Sequence, residues 1–294
     1  MLKRLTIFIL VACLVTISTI LIVKTSHKEN NSKQEFYIIG TIHSMHFNPD
    51  NHYTIIDLQN QISKLNPDLV CGEITPEAFN QAMEGYFPPE AAFLAQMSSA
   101  MNYRFVPVDW RLDYATQSKA EKDFPPSIKE KITSFGNANF ATFNPSNYES
   151  AYDFFHSTLN LHIVDSLYEK IICTDSIADL AQGSWHERNK KIVENGLRAA
   201  KNAHRVVFVF GSDHIPQIQR QLKKLGIEAQ VPERLFTPSN NLKVPEKVLT
   251  RWKRNLENLK LIRDKKIPTT ENNYQKVINS KRIQDLELAI QKSS

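Results

Sequence analysis

The sequence is poor in cysteine, with Cys13, Cys71 and Cys173 the only three. None forms a Cys-x-x-Cys pair, which excludes a thioredoxin-like redox motif and a thiolate zinc knuckle. An oxidising compartment would permit a Cys71–Cys173 disulfide, but two buried thiols are the preferred reading. Internal repeats and low-complexity tracts are also missing. So is any Arg-rich stretch interleaved with aromatics, and the net charge of +5 is modest and concentrated toward the C-terminus, which argues against nucleic acid as a partner. What is present is ordinary globular composition, 41% hydrophobic and 23% charged, in a chain of 294 residues. That length supports one substantial core or two small ones.

Residues 1–23 stand apart. Lys3 and Arg4 precede the uncharged run LTIFILVACLVTISTILIV, and Lys24, Lys28 and Lys33 follow it. At about 1.5 Å per residue the run nearly spans a hydrocarbon core of about 30 Å. Three readings compete: an uncleaved N-terminal membrane anchor with the following domain outside the cytoplasm, a cleaved secretory signal, or a lipoprotein signal ending at Cys13. The anchor is preferred. No A-x-A site follows the run, and the chain stays apolar for ten residues after Cys13. Residues 24–34 read as a polar linker.

Beyond the linker, residues 35–40 predict a buried strand, 53–65 an amphipathic helix and 69–73 a second strand, a βαβ unit with parallel pairing. A helix over 90–101 leads to a third strand at 104–109, which Pro107 marks as an edge or an irregular strand. The polar stretch of about 111–182 predicts a helical insertion. A helix over 185–203 then feeds the strongest strand, 205–210, followed by a helix at 215–225 and a short strand at 227–231. Residues 236–294 predict a C-terminal helical extension. The fold class is α/β: a mixed, largely parallel central sheet flanked by helices. The extension is basic and would suit an anionic membrane surface, but packing of its Trp252 stripe on the core is preferred.

Ionisable residues fall at the strand ends. Strand one runs into Gly40-Thr-Ile-His43 and strand four into Gly211-Ser-Asp-His214, two copies of Gly-x-x-His. Strand two ends in Glu73 and strand three in Asp109. Ligands of open parallel sheets bind beyond the carboxyl ends of strands, so these groups are expected to converge. Each glycine would let the backbone turn sharply off its strand. Two histidines and a carboxylate match a catalytic metal site by residue type, which is the first reading; a metal-free variant keeps the same residues with one histidine as the base. Arg188 reads either as part of a solvated helix face beside Lys190 and Lys191 or as a cleft cation that stabilises an oxyanion. Asp109 reads as structural, Asp213 as a helix cap, and His46 and His52 as solvent-exposed loop residues.

Together the segments YIIGTIHS (37–44), NPDLVCGEI (66–74), HERNKKIVENG (186–196) and RVVFVFGSDHIPQI (205–218) resemble the superfamily that joins TraB and GumN proteins, TIKI proteases, erythromycin esterases and ChaN-like haem-binding proteins. The resemblance spans about residues 36–231. It implies a mixed α/β sheet with helices on both faces and an active site of His43, Glu73 and His214, with Arg188 as helper; taken with the N-terminal anchor, the first reading is a membrane-tethered hydrolase. The same three would be the metal ligands for Mn²⁺, Co²⁺ or Zn²⁺, and the substrate a peptide or small ester. The alternative it implies is a haem- or metal-binding protein without turnover, with His43, His46 or His52 as ligands.

Overall fold

The computed structural model describes residues 33–139 and 145–294. The preferred N-terminal anchor lies outside the described residues, and no described helix is long and apolar enough to cross a membrane. Gln34–Ser294 pack as one unit.

The predicted strands form as β1 (Glu35–Thr41), β2 (Leu69–Gly72), β3 (Arg104–Pro107), β4 (Arg205–Gly211) and β5 (Ala229–Gln230). They make one all-parallel sheet in the order β3-β2-β4-β1-β5. β3, with Pro107, is an edge as its proline requires. One expectation changes: β1 and β2 are parallel but not neighbours, because β4 lies between them. β4 is buried at six of its seven positions, and an apolar run of that kind is most stable where both faces and both edges are covered.

Side chains alternate across the sheet with the strand period of two. Ile39, Val70, Val207 and Val209 point to one face, and Ile38, Leu69, Cys71, Val206 and Phe208 to the other. The first face is covered by α1 (Ile55–Leu65), α2 (Pro89–Met97), α10 (Glu246–Arg263), α11 (Glu271–Ile278) and α12 (Arg282–Ser293). Trp252 is fully buried there and donates its indole N–H to the Pro89 carbonyl. The second face is covered by α8 (Trp185–Ala199) and α9 (Ile215–Lys224). The insertion forms α3 (Tyr114–Lys122), α4 (Pro126–Asn139), α5 (Ala151–Phe155), α6 (Thr158–Lys170) and α7 (Ser176–Ala181). Cys71 is buried in the sheet, which pushes its thiol up to about 12, while Cys173 is half-buried in the insertion; both are free.

α1 begins at a capping box. The Thr54 hydroxyl accepts from the Asp57 amide, and the Asp57 carboxylate accepts from the Thr54 amide. This fixed start directs Tyr53 beneath the end of β1, where its hydroxyl donates to the Gly40 carbonyl at 2.9 Å.

Candidate active site

Four strand ends meet at the carboxyl edge of the sheet. Thr41 of β1 is in register with Gly211 of β4, and Gly72 of β2 with Val209 of β4 and Pro107 of β3. The residues that follow, His43, Glu73, Asp109 and His214, therefore surround one locus. His43, Glu73, Arg188 and His214 all line a single cavity of 330 Å³, together with Arg111.

His43 begins a 3-10 turn (His43–Phe47) directly after β1, with φ of +52°. A non-glycine residue in the left-handed region costs on the order of 1–3 kcal/mol and persists only where the surroundings impose it. Here they do. Gly40 N donates to His156 Nε2 at 2.8 Å, Ile42 N to His46 Nε2 at 3.2 Å, and His46 Nδ1 bonds the Tyr53 carbonyl at 2.8 Å. Burial lowers both His46 and His156 to about 4, so both are neutral braces. His46 is thus a buried residue with both ring nitrogens committed, not the exposed loop residue its polar neighbours suggest; α12 and Trp252 cover the turn. His52 is exposed as expected.

Neither Gly-x-x-His glycine turns the chain through positive φ. They supply room instead. A Cβ on Gly40 would lie 2.8 Å from Ile215 Cδ1 and 2.9 Å from Ser212 Cα, and one on Gly211 would lie 2.8 Å from His43 Nε2. Gly211 has φ of −47°, which alanine adopts, so the conflict is with the imidazole alone. Any reaction using His43 Nε2 is accordingly expected to slow about 10²-fold in Gly211→Ala, the scale of an ångström-sized misplacement. Thermal denaturation run beside the rate assay checks that the fold is unchanged; a normal rate would show that Nε2 is not engaged.

His43 Nδ1 lies 2.7 Å from Glu90 Oε1. Glu90 is buried in α2, and its other oxygen has no hydrogen-bond partner among the described residues. Burial alone would lower the His43 pKa, but the Glu90 carboxylate, with help from Glu73, outweighs it and raises the pKa above its usual value. Burial pushes Glu90 up, and His43 outweighs it and holds the carboxylate below its usual range.

His214 is set the opposite way. Its ring stacks on Trp185 at 4.3 Å, and its Nδ1 lies 2.7 Å from Asn189 Oδ1. Asn189 Nδ2 donates to the Trp185 carbonyl, which leaves Oδ1 as the acceptor. Nδ1 of His214 must therefore carry the proton and Nε2 the lone pair. Burial, reinforced by Arg188, drives the His214 pKa well below its usual value.

Behind the histidines lies a neutral quartet. Arg188 donates to both oxygens of Asp109 at 2.9 and 3.1 Å and to Glu73 Oε1 at 3.0 Å. Arg111 bridges the same carboxylates at 2.7 and 2.9 Å. Glu73 Oε2 accepts from the Gly211 amide at 2.9 Å. Burial would neutralise Glu73, but His43, Arg188, Arg111 and His214 outweigh it and keep the carboxylate ionised. Arg188 is buried, not part of a solvated helix face, and Asp109 is buried with both carboxylate oxygens bonded to the two arginines. Asp213 lies within a 3-10 turn (Ser212–His214), and no side chain caps that turn or α9.

The predicted metal trio does not fit an ion as arranged. His43, Glu73 and His214 do not bring one ligand atom each within 4.8 Å of the others. Glu73 has three hydrogen bonds, two from guanidiniums whose charge opposes a cation. The same residues suit proton transfer without rearrangement.

Sequence reasoning missed Glu90, Arg111 and the orienting role of Asn189. A second cavity of 870 Å³ lies on the other side of Arg111, which lines both; Lys191, Arg198 and Lys276 also face it. Comparisons with family models, curated proteins and solved structures give no match to this chain.

Proposed function

We propose that the protein is a hydrolase that cleaves an ester or peptide bond by activating water without a metal, and that it belongs to the superfamily its motifs resemble. The observation that carries this reading is the His43–Glu90 pair at the rim of a cavity shared with a neutral, tautomer-fixed His214. Two titratable groups pushed in opposite directions on one cavity are the usual signature of acid–base chemistry.

His43, its Nδ1–H held by Glu90, takes a proton from water through Nε2 as the water oxygen attacks the carbonyl carbon. His214 Nε2 accepts a hydrogen bond from the same water and sets its direction. Arg111 and Arg188 use Nε and Nη2 in the quartet, and their Nη1 groups make no hydrogen bond among the described residues. They are the donors for the oxyanion. The His43 imidazolium then returns its proton to the departing alcohol or amine, leaving a carboxylic acid that releases its own proton to solvent. The 870 Å³ cavity gives room for the rest of the substrate.

The test is turnover by the purified protein of a panel of carboxylic esters and short peptides in the presence of chelator, with His43→Ala in parallel. Turnover that survives chelation and is lost in the variant is expected. Turnover that stops on chelation and returns with added metal, or equal rates in wild type and His43→Ala, rejects the mechanism.

A further inference from the structure

A second cluster, separate from the cavity, lies where the helical insertion meets the start of α8. Cys173 sits in a 3-10 turn (Ile172–Thr174), Asp179 in α7 and His186 in the first turn of α8. The Cys173 Sγ, a carboxylate oxygen of Asp179 and an imidazole nitrogen of His186 all lie within 4.8 Å of one another. Among the described residues no other trio of His, Cys, Asp and Glu does so. Asp179 Oδ1 is buried with no hydrogen-bond partner among the described residues, and the Cys173 thiol interacts with the same carboxylate. His186 is already held in place, its Nε2 bonding Glu169 Oε1 at 2.6 Å, and Glu169 accepts in turn from Gln217. A carboxylate on the ring is the common outer support of a metal-bound imidazole.

We propose that Cys173, Asp179 and His186 bind a zinc ion, with water in the fourth position. One sulfur, one nitrogen and one oxygen are a donor set for a borderline-soft ion and a poor one for Mg²⁺ or Ca²⁺. Tetrahedral zinc places its ligand atoms about 3.3–3.8 Å apart, so a trio already within 4.8 Å needs no more than a small side-chain adjustment to bind. The ion takes the Cys173 thiolate, and the thiol proton passes to solvent. The site ties the insertion to the start of α8. There Trp185, beside His186, stacks on Tyr168 at 4.0 Å and on His214 at 4.3 Å. Zinc thus clamps the wall of the cavity without entering it, and the site does not depend on the hydrolase reading.

The experiment is Co²⁺ titration of the full chain after removal of metal by chelator and reduction of its thiols, read by absorption. A thiolate-to-cobalt charge-transfer band that saturates at one ion per chain, and that Zn²⁺ bleaches, is expected. Cys173→Ser should lose the band, His43→Ala should keep it, and Zn²⁺ should raise the melting temperature of the wild type but not of Cys173→Ser. His186→Ala, whose side chain is 44% exposed and whose folding is therefore secure, should bind Co²⁺ at least about tenfold more weakly. No band in the folded wild type, a band that persists in Cys173→Ser, or unchanged affinity in His186→Ala would overturn the site.

Discussion

Replacing Arg188 with methionine is expected to remove about 3–5 kcal/mol of folding stability at neutral pH, the usual consequence of leaving a buried charge without its partner. Arg188 is 6% exposed and bonds Asp109, 1% exposed, and Glu73, 5% exposed. In the variant Arg111 is the only guanidinium left to offset two buried carboxylates. Methionine fills much of the same volume, so a cavity is a minor part of the effect. The pH dependence separates this electrostatic cause from lost packing. The folded pKa of Glu73 is held below its ordinary value by positive neighbours. Its contribution is therefore full above the unfolded value of about 4.5 and is lost as pH falls through the folded value. The gap between wild type and Arg188→Met should be widest at neutral pH and narrow below about pH 4.5. Urea denaturation at several pH values measures it. A gap that stays constant down to low pH would assign the loss to packing, and no gap at all would remove the quartet from the account of the fold.

Much of this arrangement could be read from the chain, and the failures have identifiable causes. Strand ends are legible because an apolar run that stops at a polar residue marks both the strand and its exit. His43, Glu73, Asp109 and His214 were found that way. Arg188 and Asn189 were readable too: Trp185, Arg188, Asn189, Ile192, Val193 and Gly196 recur at helical spacing and are all buried, while Glu187, Lys190, Lys191 and Glu194 face outward. Judging Arg188 by its sequence neighbours instead of by its stripe gave the solvated-face alternative. Glu90 is harder. It reaches His43 across 47 positions through the packing of α2 on the turn, a non-local fact. Its one local trace is that α2 has almost no polar face, so a glutamate within EAAFLAQM is a buried charge that needs a partner. His46 shows that a polar loop need not be a wet one: Trp252 and α12, far along the chain, cover its turn, and no short-range pattern records those contacts. The place of β4 between β1 and β2 is likewise a tertiary outcome.

The Glu90–His43 pair supplies the sharpest expected result on activity. Glu90→Gln keeps the shape and removes the charge. Without the anion, the His43 pKa should fall, because Glu90 is the strongest influence that raises it against burial. For a base that must be unprotonated, the rate climbs as pH rises through that pKa. The acidic limb of the pH–rate profile should therefore move to lower pH in the variant. The plateau should drop by about 10²–10⁴-fold, since a neutral amide neither holds the Nδ1–H tautomer nor stabilises the imidazolium formed as water is deprotonated. His43→Ala should give a plateau at least as low with no acidic limb of its own. The two changes in Glu90→Gln make the test specific. A residue that merely packed the helix would lower the rate at every pH and leave the limb where it was. If His43 instead acts in its protonated form, as an acid, its pKa sets the basic limb, and Glu90→Gln would move that limb to lower pH while the acidic limb stays in place; the base in this cavity would then be His214.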